Sequence, residues 1–417
     1  MNKMISFKFD WLLWFLILLP TFYVVGMDIR HAQMNFFQIS IIILLGLIHV
    51  NKYIGWFLLW VGFQFLFFDV PNKSYILQNI FFGALLYHLI VKYDVTPKKY
   101  LWAIMWLLVF NAFWVGRQLL QSDPIFHPVD LQFQTTFSDV GGFFSLPAFM
   151  GSYASAAAPL LFATSLWLTP VVLVSLFLSK SSFSILAAII AVLFILWFRK
   201  RLFFWIIGAI LIISSLVYVI KKDLPTGQFQ RRFNVWKLIE KEAWKKQFLG
   251  HGVGTYGDKY VFVETSPSLK NAMVKNNQEL ARFLIDDAIS QKKEEVVNVL
   301  MTANLKEFES KELKLKLNRQ GFDFHVWGQA HNEFLHVFFE YGLIGLSFIV
   351  LFIVDLFKRF FKGKHFKDLE TLCLMGAFIA ILVSSAGHFP FQIARLAGPF
   401  IVMMALLETK IRRIEHE

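Results

Sequence analysis

The chain is broken into apolar runs long enough to cross a bilayer, and that length constrains its fold more than any other feature. A spanning helix needs about 20 predominantly apolar residues, within a range of about 17–25. Runs of this kind fall near 11–27, 36–51, 54–70, 75–92, 99–121, 142–162, 164–179, 182–198, 202–220, 333–357, 370–387 and 391–408. With 57% hydrophobic and 18% aromatic residues, the pattern predicts an all-α polytopic membrane protein of about 12 transmembrane helices, Phe and Trp meeting lipid and interface. Pro147, Pro159 and Pro170 interrupt the sixth and seventh runs, where a broken or re-entrant helix fits as well as a full span. Residues 1–26 imitate a signal peptide, with Lys3 and Lys8 ahead of an apolar core. No small-residue cleavage site follows, so the segment reads as an uncleaved first helix.

Charge supplies the orientation. Lys and Arg near span ends stay on the cytoplasmic side. With the N-terminus inside, the inner loops and tail collect Lys52, Lys92, Lys98, Lys99, Arg199, Lys200, Arg201, Lys358, Arg359, Lys362, Lys364, Lys367, Lys410, Arg412 and Arg413. The outer short loops hold Arg30, Lys73, Lys180 and Arg395. The net charge of +12 therefore reports topology rather than nucleic-acid binding. An N-in, C-in chain follows, divided into helices 1–9 over 1–220, an extracytoplasmic loop over 221–331, and helices 10–12 with a cytoplasmic tail over 332–417. The loop's middle, 268–317, reads helical, because Leu269, Met273, Leu280, Leu284, Val296, Leu300 and Leu305 recur at helix-like spacing among charged residues. A shorter outer loop, 122–140, carries Asp123, His127 and Asp130. Cys373 is the one cysteine, which excludes an intrachain disulfide and a cysteine metal cluster.

Three local patterns could carry chemistry. Ala330-His331-Asn332-Glu333-Phe334-Leu335, followed by Glu340-Tyr341-Gly342-Leu343-Ile344-Gly345, stands where the long loop turns into a span. Asn332 can cap the helix, Glu333 suits the positive end of its dipole, and Gly342 and Gly345 permit close approach. His331 stays just outside the first turn, and an ordinary hydrogen-bonding surface histidine is the plainer reading of it. His336 lies about 140° further round the helix, so the two histidines do not form a metal pair; it is expected to point away from the site and to tolerate alanine. The second pattern is Arg231-Arg232-Phe233-Asn234-Val235-Trp236 with Gly250-His251-Gly252-Val253-Gly254-Thr255-Tyr256. Gly252 and Gly254 could form a tight turn whose amides approach a phosphate, while Arg231 and Arg232 could be a plain solvated pair. The third, Ser179-Lys180-Ser181-Ser182, is either a basic motif or a capped helix start with a snorkelling lysine.

These stretches resemble the O-antigen ligase and O-antigen polymerase superfamily of membrane glycan transferases, which includes protein O-oligosaccharyltransferases. The resemblance covers about 140–260 and 325–410 and is best at the AHNxxLxxxxExGxxG stretch beginning at Ala330. The run from Arg232 to Tyr256 is similar to the family's RxxxW…GxGxxxF-like segment, Gly142–Tyr153 to its GxF…P…G segment, and 179–182 to its SRG-type motif with lysine in place of arginine. Residues 258–323 match no part of it. The resemblance implies a polyprenyl-diphosphate-linked glycan donor, no cofactor, and transfer by single displacement to an acceptor such as lipid A-core at the outer face of the bacterial inner membrane. It makes His331 the base for the acceptor hydroxyl and gives Arg232 and Lys180 the leaving diphosphate; Arg231, Gly252, Gly254, Asn332 and Glu340 become substrate-binding candidates. The outer segments contain no DxD motif, so no metal is expected and side-chain cations would stabilise the departing charge.

Ligation to a lipid core, polymerisation of repeat units and transfer to protein remain open, with ligation favoured. A transporter or flippase is the alternative from another class. Such folds pair similar halves around interrupted helices, whereas here nine apolar runs precede the long loop and three follow it.

Overall fold

A computed structural model describes residues 51–68, 73–119, 147–179, 181–205, 208, 226–256, 260–265, 297–302, 325–327, 330–388, 390–392 and 394–416. The runs at 11–27 and 36–50, the loop 122–140, most of 202–220, and Lys180 lie outside these residues. The described chain is mostly helical: α1 (Lys52–Phe67), α2 (Lys73–Lys92), α3 (Pro97–Leu119), α4 (Pro147–Ala157), α5 (Thr169–Ser179), α6 (Ser182–Arg199), α7 (Thr226–Ala243), α8 (Glu333–Lys362), α9 (Leu369–Ser385) and α10 (Ala394–His416). Stretches of α3, α6 and α8 have the length and composition to cross a membrane: Pro97–Gly116, Ser182–Arg199 and Glu333–Lys362. Gly83–Lys92, Leu166–Ser179 and Leu369–Ser385 are shorter apolar helices.

The long loop is not purely helical. It contains a three-stranded antiparallel sheet in the order β2-β1-β3, with β1 Tyr260–Thr265, β2 Val297–Thr302 and β3 His325–Trp327. Val263 pairs with Val299 on one side and Val326 on the other. This corrects the helical reading at 297–302. The segment Val297-Asn298-Val299-Leu300 alternates branched apolar and polar residues, the local pattern of a strand, and the apolar spacing of its flanks hid it.

The chain divides into two compact units, one of 1–52, 78–218 and 352–417, the other of 53–77 and 219–351. The grouping differs from the division by loops, since α1 and the first part of α8 join the loop residues.

In the first unit α9 is the central helix, packed against α4, α6 and α10, and most of its residues are buried. Small residues make this packing tight. A Cβ on Gly151 would meet Ser179 and Ser184, and one on Gly376 would meet Pro159 at 2.9 Å, the close approach by which helices associate when water supplies no driving force between them. The sixth apolar run is broken. Its helix ends at Ala157, a 3-10 turn covers Ala158–Phe162 around Pro159, and a second turn at Leu166–Leu168 leads into α5. The Leu160 carbonyl, left over at the break, accepts from the amides of Ala163 and Thr164 and from the Thr164 hydroxyl.

Charged groups gather at one edge of this unit. Arg359 binds Asp355 at 3.0 Å and the fully buried Glu408 at 2.5 Å. Lys410 reaches Glu370 at 2.9 Å, Arg413 reaches Asp94 at 2.9 Å, and Arg199 donates to the Lys367 carbonyl at 2.6 Å. The loops after α2, α6 and α8 and the end of α10 therefore meet at one edge.

The second unit is built on Val235, Ile239 and Ala243 of α7, Tyr256 from the glycine loop, and Ala330, Phe338 and Phe339.

Candidate functional site

Within the second unit, α8 is interrupted at Gly342, whose φ of 67° and ψ of −170° are not helical. A break strands the carbonyls of residues 339–341 and the amides of 343–345, and buried backbone groups need partners. Five of the six find one. The Phe339 carbonyl accepts from the His251 amide at 2.8 Å and the Glu340 carbonyl from the Gly252 amide at 3.0 Å. Gln64 Nε2 adds a second donor to Glu340 at 3.1 Å, and the Tyr341 carbonyl accepts from Trp60 Nε1 at 2.9 Å. The Leu343 and Ile344 amides donate to the carbonyls of Gln247 and Phe248. The glycine loop is thus spliced into the helix break, and α1 braces the splice. Contact is backbone to backbone: a Cβ on Gly250 would collide with the Glu340 carbonyl, and one on Gly342 with the Phe248 carbonyl.

The Gly252 amide, expected with that of Gly254 to approach a phosphate, is instead committed to the Glu340 carbonyl. Gly250, Gly252 and Gly254 do turn the chain, with φ of 74°, 104° and 71°. The amides of 250, 251, 252, 255 and 256 are engaged inside the protein, however, the last by Glu340 Oε1 at 3.1 Å. Gly250 serves close packing against α8, while a Cβ on Gly252 would meet Phe68 at 3.2 Å.

Glu340 and His336 form the buried polar centre of the unit. His336 Nε2 lies 3.3 Å from Glu340 Oε1, both side chains 4% exposed, and the Tyr256 ring covers the imidazole with centroids 4.9 Å apart. His336, expected to point elsewhere on the helix than His331, is thus a buried partner of Glu340 and Tyr256. Glu340, expected to bind substrate, has its Oε1 and its carbonyl holding the glycine loop. The i,i+4 spacing of 336 and 340 was visible in the sequence and implies a shared helix face; the Tyr256 contact comes from 80 residues away and was not.

His331 and Asn332 sit at the start of α8. Asn332 Oδ1 accepts from the Leu335 amide at 3.0 Å, the cap expected of it. His331 is half-buried and adopts φ of 49°, a left-handed conformation that costs a non-glycine residue about 1 kcal/mol or more and that concentrates at functional positions. The neighbouring Ala330 carbonyl accepts from Trp236 Nε1 on α7 at 2.8 Å. Arg232 lies four residues before Trp236, on the same helix face one turn along, and its partial burial draws the guanidinium below its usual value without removing the charge. That hydrogen bond joins α7, on the face that carries Arg232, to the residue preceding His331. Arg231 is helical within α7.

Around the third pattern, in the first unit, Ser181 caps α6 by accepting from the Ser184 amide at 3.2 Å, as the capped-start reading expected. Ser181 Oγ also accepts from the Ser184 hydroxyl at 2.9 Å and lies 2.6 Å from His388 Nε2. His388 was missed because it stands 207 residues from its partner in a stretch without a motif.

Compared with known proteins, the chain matches no protein-family model and no curated protein.

Proposed function

We propose that the chain is a glycan transferase of the O-antigen ligase kind, moving a polyprenyl-diphosphate-linked glycan onto an acceptor hydroxyl, with lipid A-core the favoured acceptor. The observation that supports the reading is the hydrogen bond from Trp236, on the Arg232 face of α7, to Ala330, the residue before a half-buried, left-handed His331 at the start of a membrane-length helix. His331 takes the proton from the acceptor hydroxyl. The acceptor oxygen attacks the anomeric carbon, and the bond to the diphosphate breaks with its electron pair leaving on oxygen. Arg232 stabilises that charge, assisted by Lys180. In this reading the protein lies N-in and C-in in a bacterial inner membrane with 221–331 on the outer side, and transfer needs no divalent metal.

The test in cells is glycan analysis of a deletion strain. Loss of all long chains from the lipid core is the expected result. Products capped at a single repeat would shift the reading to a polymerase, and an unchanged surface with donor accumulating on the inner leaflet would favour a flippase.

A further inference from the structure

The charged edge of the first unit holds an open cavity of about 420 Å³ lined by Lys364, His365, Lys367, Asp368, Lys410 and Arg413, with Gly363 and Ile414. Four cations therefore face one carboxylate. That carboxylate does not oppose an incoming anion freely, because Asp368 caps α9: it accepts from the Thr371 amide at 2.8 Å and hydroxyl at 2.6 Å and pairs with Lys410 at 3.4 Å. Burial alone would raise its pKa, but these bonds hold it below the ordinary carboxylate value. Lys410 and Arg413 are engaged by Glu370 and Asp94. Lys364 and Lys367 are exposed and make no ion pair with the described residues.

A second, independent feature lies in the same lining. His365 is 2% exposed, and neither Nδ1 nor Nε2 has a hydrogen-bond partner among the described residues. A neutral imidazole carries one donor and one acceptor, and burying both unsatisfied is unfavourable. Its place is set by Phe360 on one side and by Gly363, where a Cβ would collide with the ring. A phosphate oxygen can partner one of the two ring nitrogens, accepting from its N–H or, when protonated, donating to the bare nitrogen, and the ammonium groups of Lys364 and Lys367 match its charge.

We propose that this cavity binds a phosphate group, held by Lys364 and Lys367 and by His365 at its buried wall. Basic pockets between helices at a membrane surface suit an anionic phospholipid headgroup, and a soluble phosphate compound offers the same chemistry. The site is independent of the transferase reading.

The full chain in a neutral detergent is offered equal amounts of phosphatidylglycerol and phosphatidylcholine, and retained lipid is measured by native mass spectrometry; inorganic phosphate is titrated separately against thermal unfolding. The wild type should retain phosphatidylglycerol about tenfold or more above the K364Q/K367Q variant, and K200Q, which removes an exposed cation outside the cavity lining, should behave as wild type. Stabilisation by inorganic phosphate that the double variant lacks, with displacement of the lipid, would support the same site with a soluble ligand. Indifference of both probes to K364Q/K367Q, or an equal loss in K200Q, would overturn the proposal and leave water as the partner of His365.

Discussion

At the scale of single residues, the buried histidines bear on stability. His336, with Glu340 and Tyr256, holds the second unit together. Replacing it with alanine leaves a buried carboxylate short of one partner, a change expected to cost about 3 kcal/mol, read as a lowered denaturation midpoint in detergent. His251 predicts a pH dependence. Its ring stacks on Phe339 at 4.4 Å and its Nε2 donates to the Glu242 carbonyl at 3.1 Å. Burial lowers its pKa, with the carbonyl bond opposing and Lys246 assisting. A folded pKa below the unfolded value of about 6.5 means that the unfolded chain takes up the proton first. Stability is then full above about pH 6.5 and falls as pH drops toward the folded value. Thermal unfolding of wild type against His251→Gln between pH 7 and 5 should show the slope in the wild type and a shallower one in the variant. Asn332 was legible in the sequence because a cap is a local device, with donor and acceptor three residues apart. The Tyr256 and His388 partnerships were not, because they are made by tertiary approach of segments whose spacing carries no signal.

At the scale of elements, the splice between the glycine loop and the break in α8 is the least expected feature. Both halves were visible as glycine-bearing motifs, Gly250-His251-Gly252 and Glu340-Tyr341-Gly342, and each was read by itself, as a phosphate turn and as a close-packing helix. Gly345 does allow close approach, with Trp60 about where a Cβ would meet it at 3.2 Å. Gly342 instead ends the helix and redirects its hydrogen bonds. Gly342→Ala would impose a backbone conformation essentially reserved for glycine and drive a methyl group into the Phe248 carbonyl, a combination expected to cost about 3 kcal/mol or more. The check is loss of folded, monodisperse protein at a temperature where wild type remains folded, with Gly116→Ala, which meets nothing nearby, as the neutral comparison. The break at Pro159 was foreseen as one of two options because proline removes a donor and clashes with the preceding turn. The strand at 297–302 was not, since an amphipathic helical pattern in the flanks outweighed six residues.

At the scale of the whole molecule, hydropathy and charge made the class and the edges legible. Apolar length placed the membrane-length helices at 97–116, 182–199 and 333–362, and the loops assigned to one side by their Lys and Arg content meet at one edge of the first unit. The candidate site was legible as three motifs, and its geometry was not, because the bond from Trp236 to Ala330 and the left-handed backbone of His331 depend on how α7 meets α8. The central claim is that this geometry transfers a glycan from a diphosphate carrier. The direct measurement is release of polyprenyl diphosphate by purified wild-type and His331→Asn protein, in EDTA, with acceptor present. Asparagine tolerates the left-handed backbone but lacks a base, so the variant should fold, bind donor and turn over about 10²–10⁴-fold more slowly. Absence of release by folded wild type, or equal release by the variant, would contradict the account.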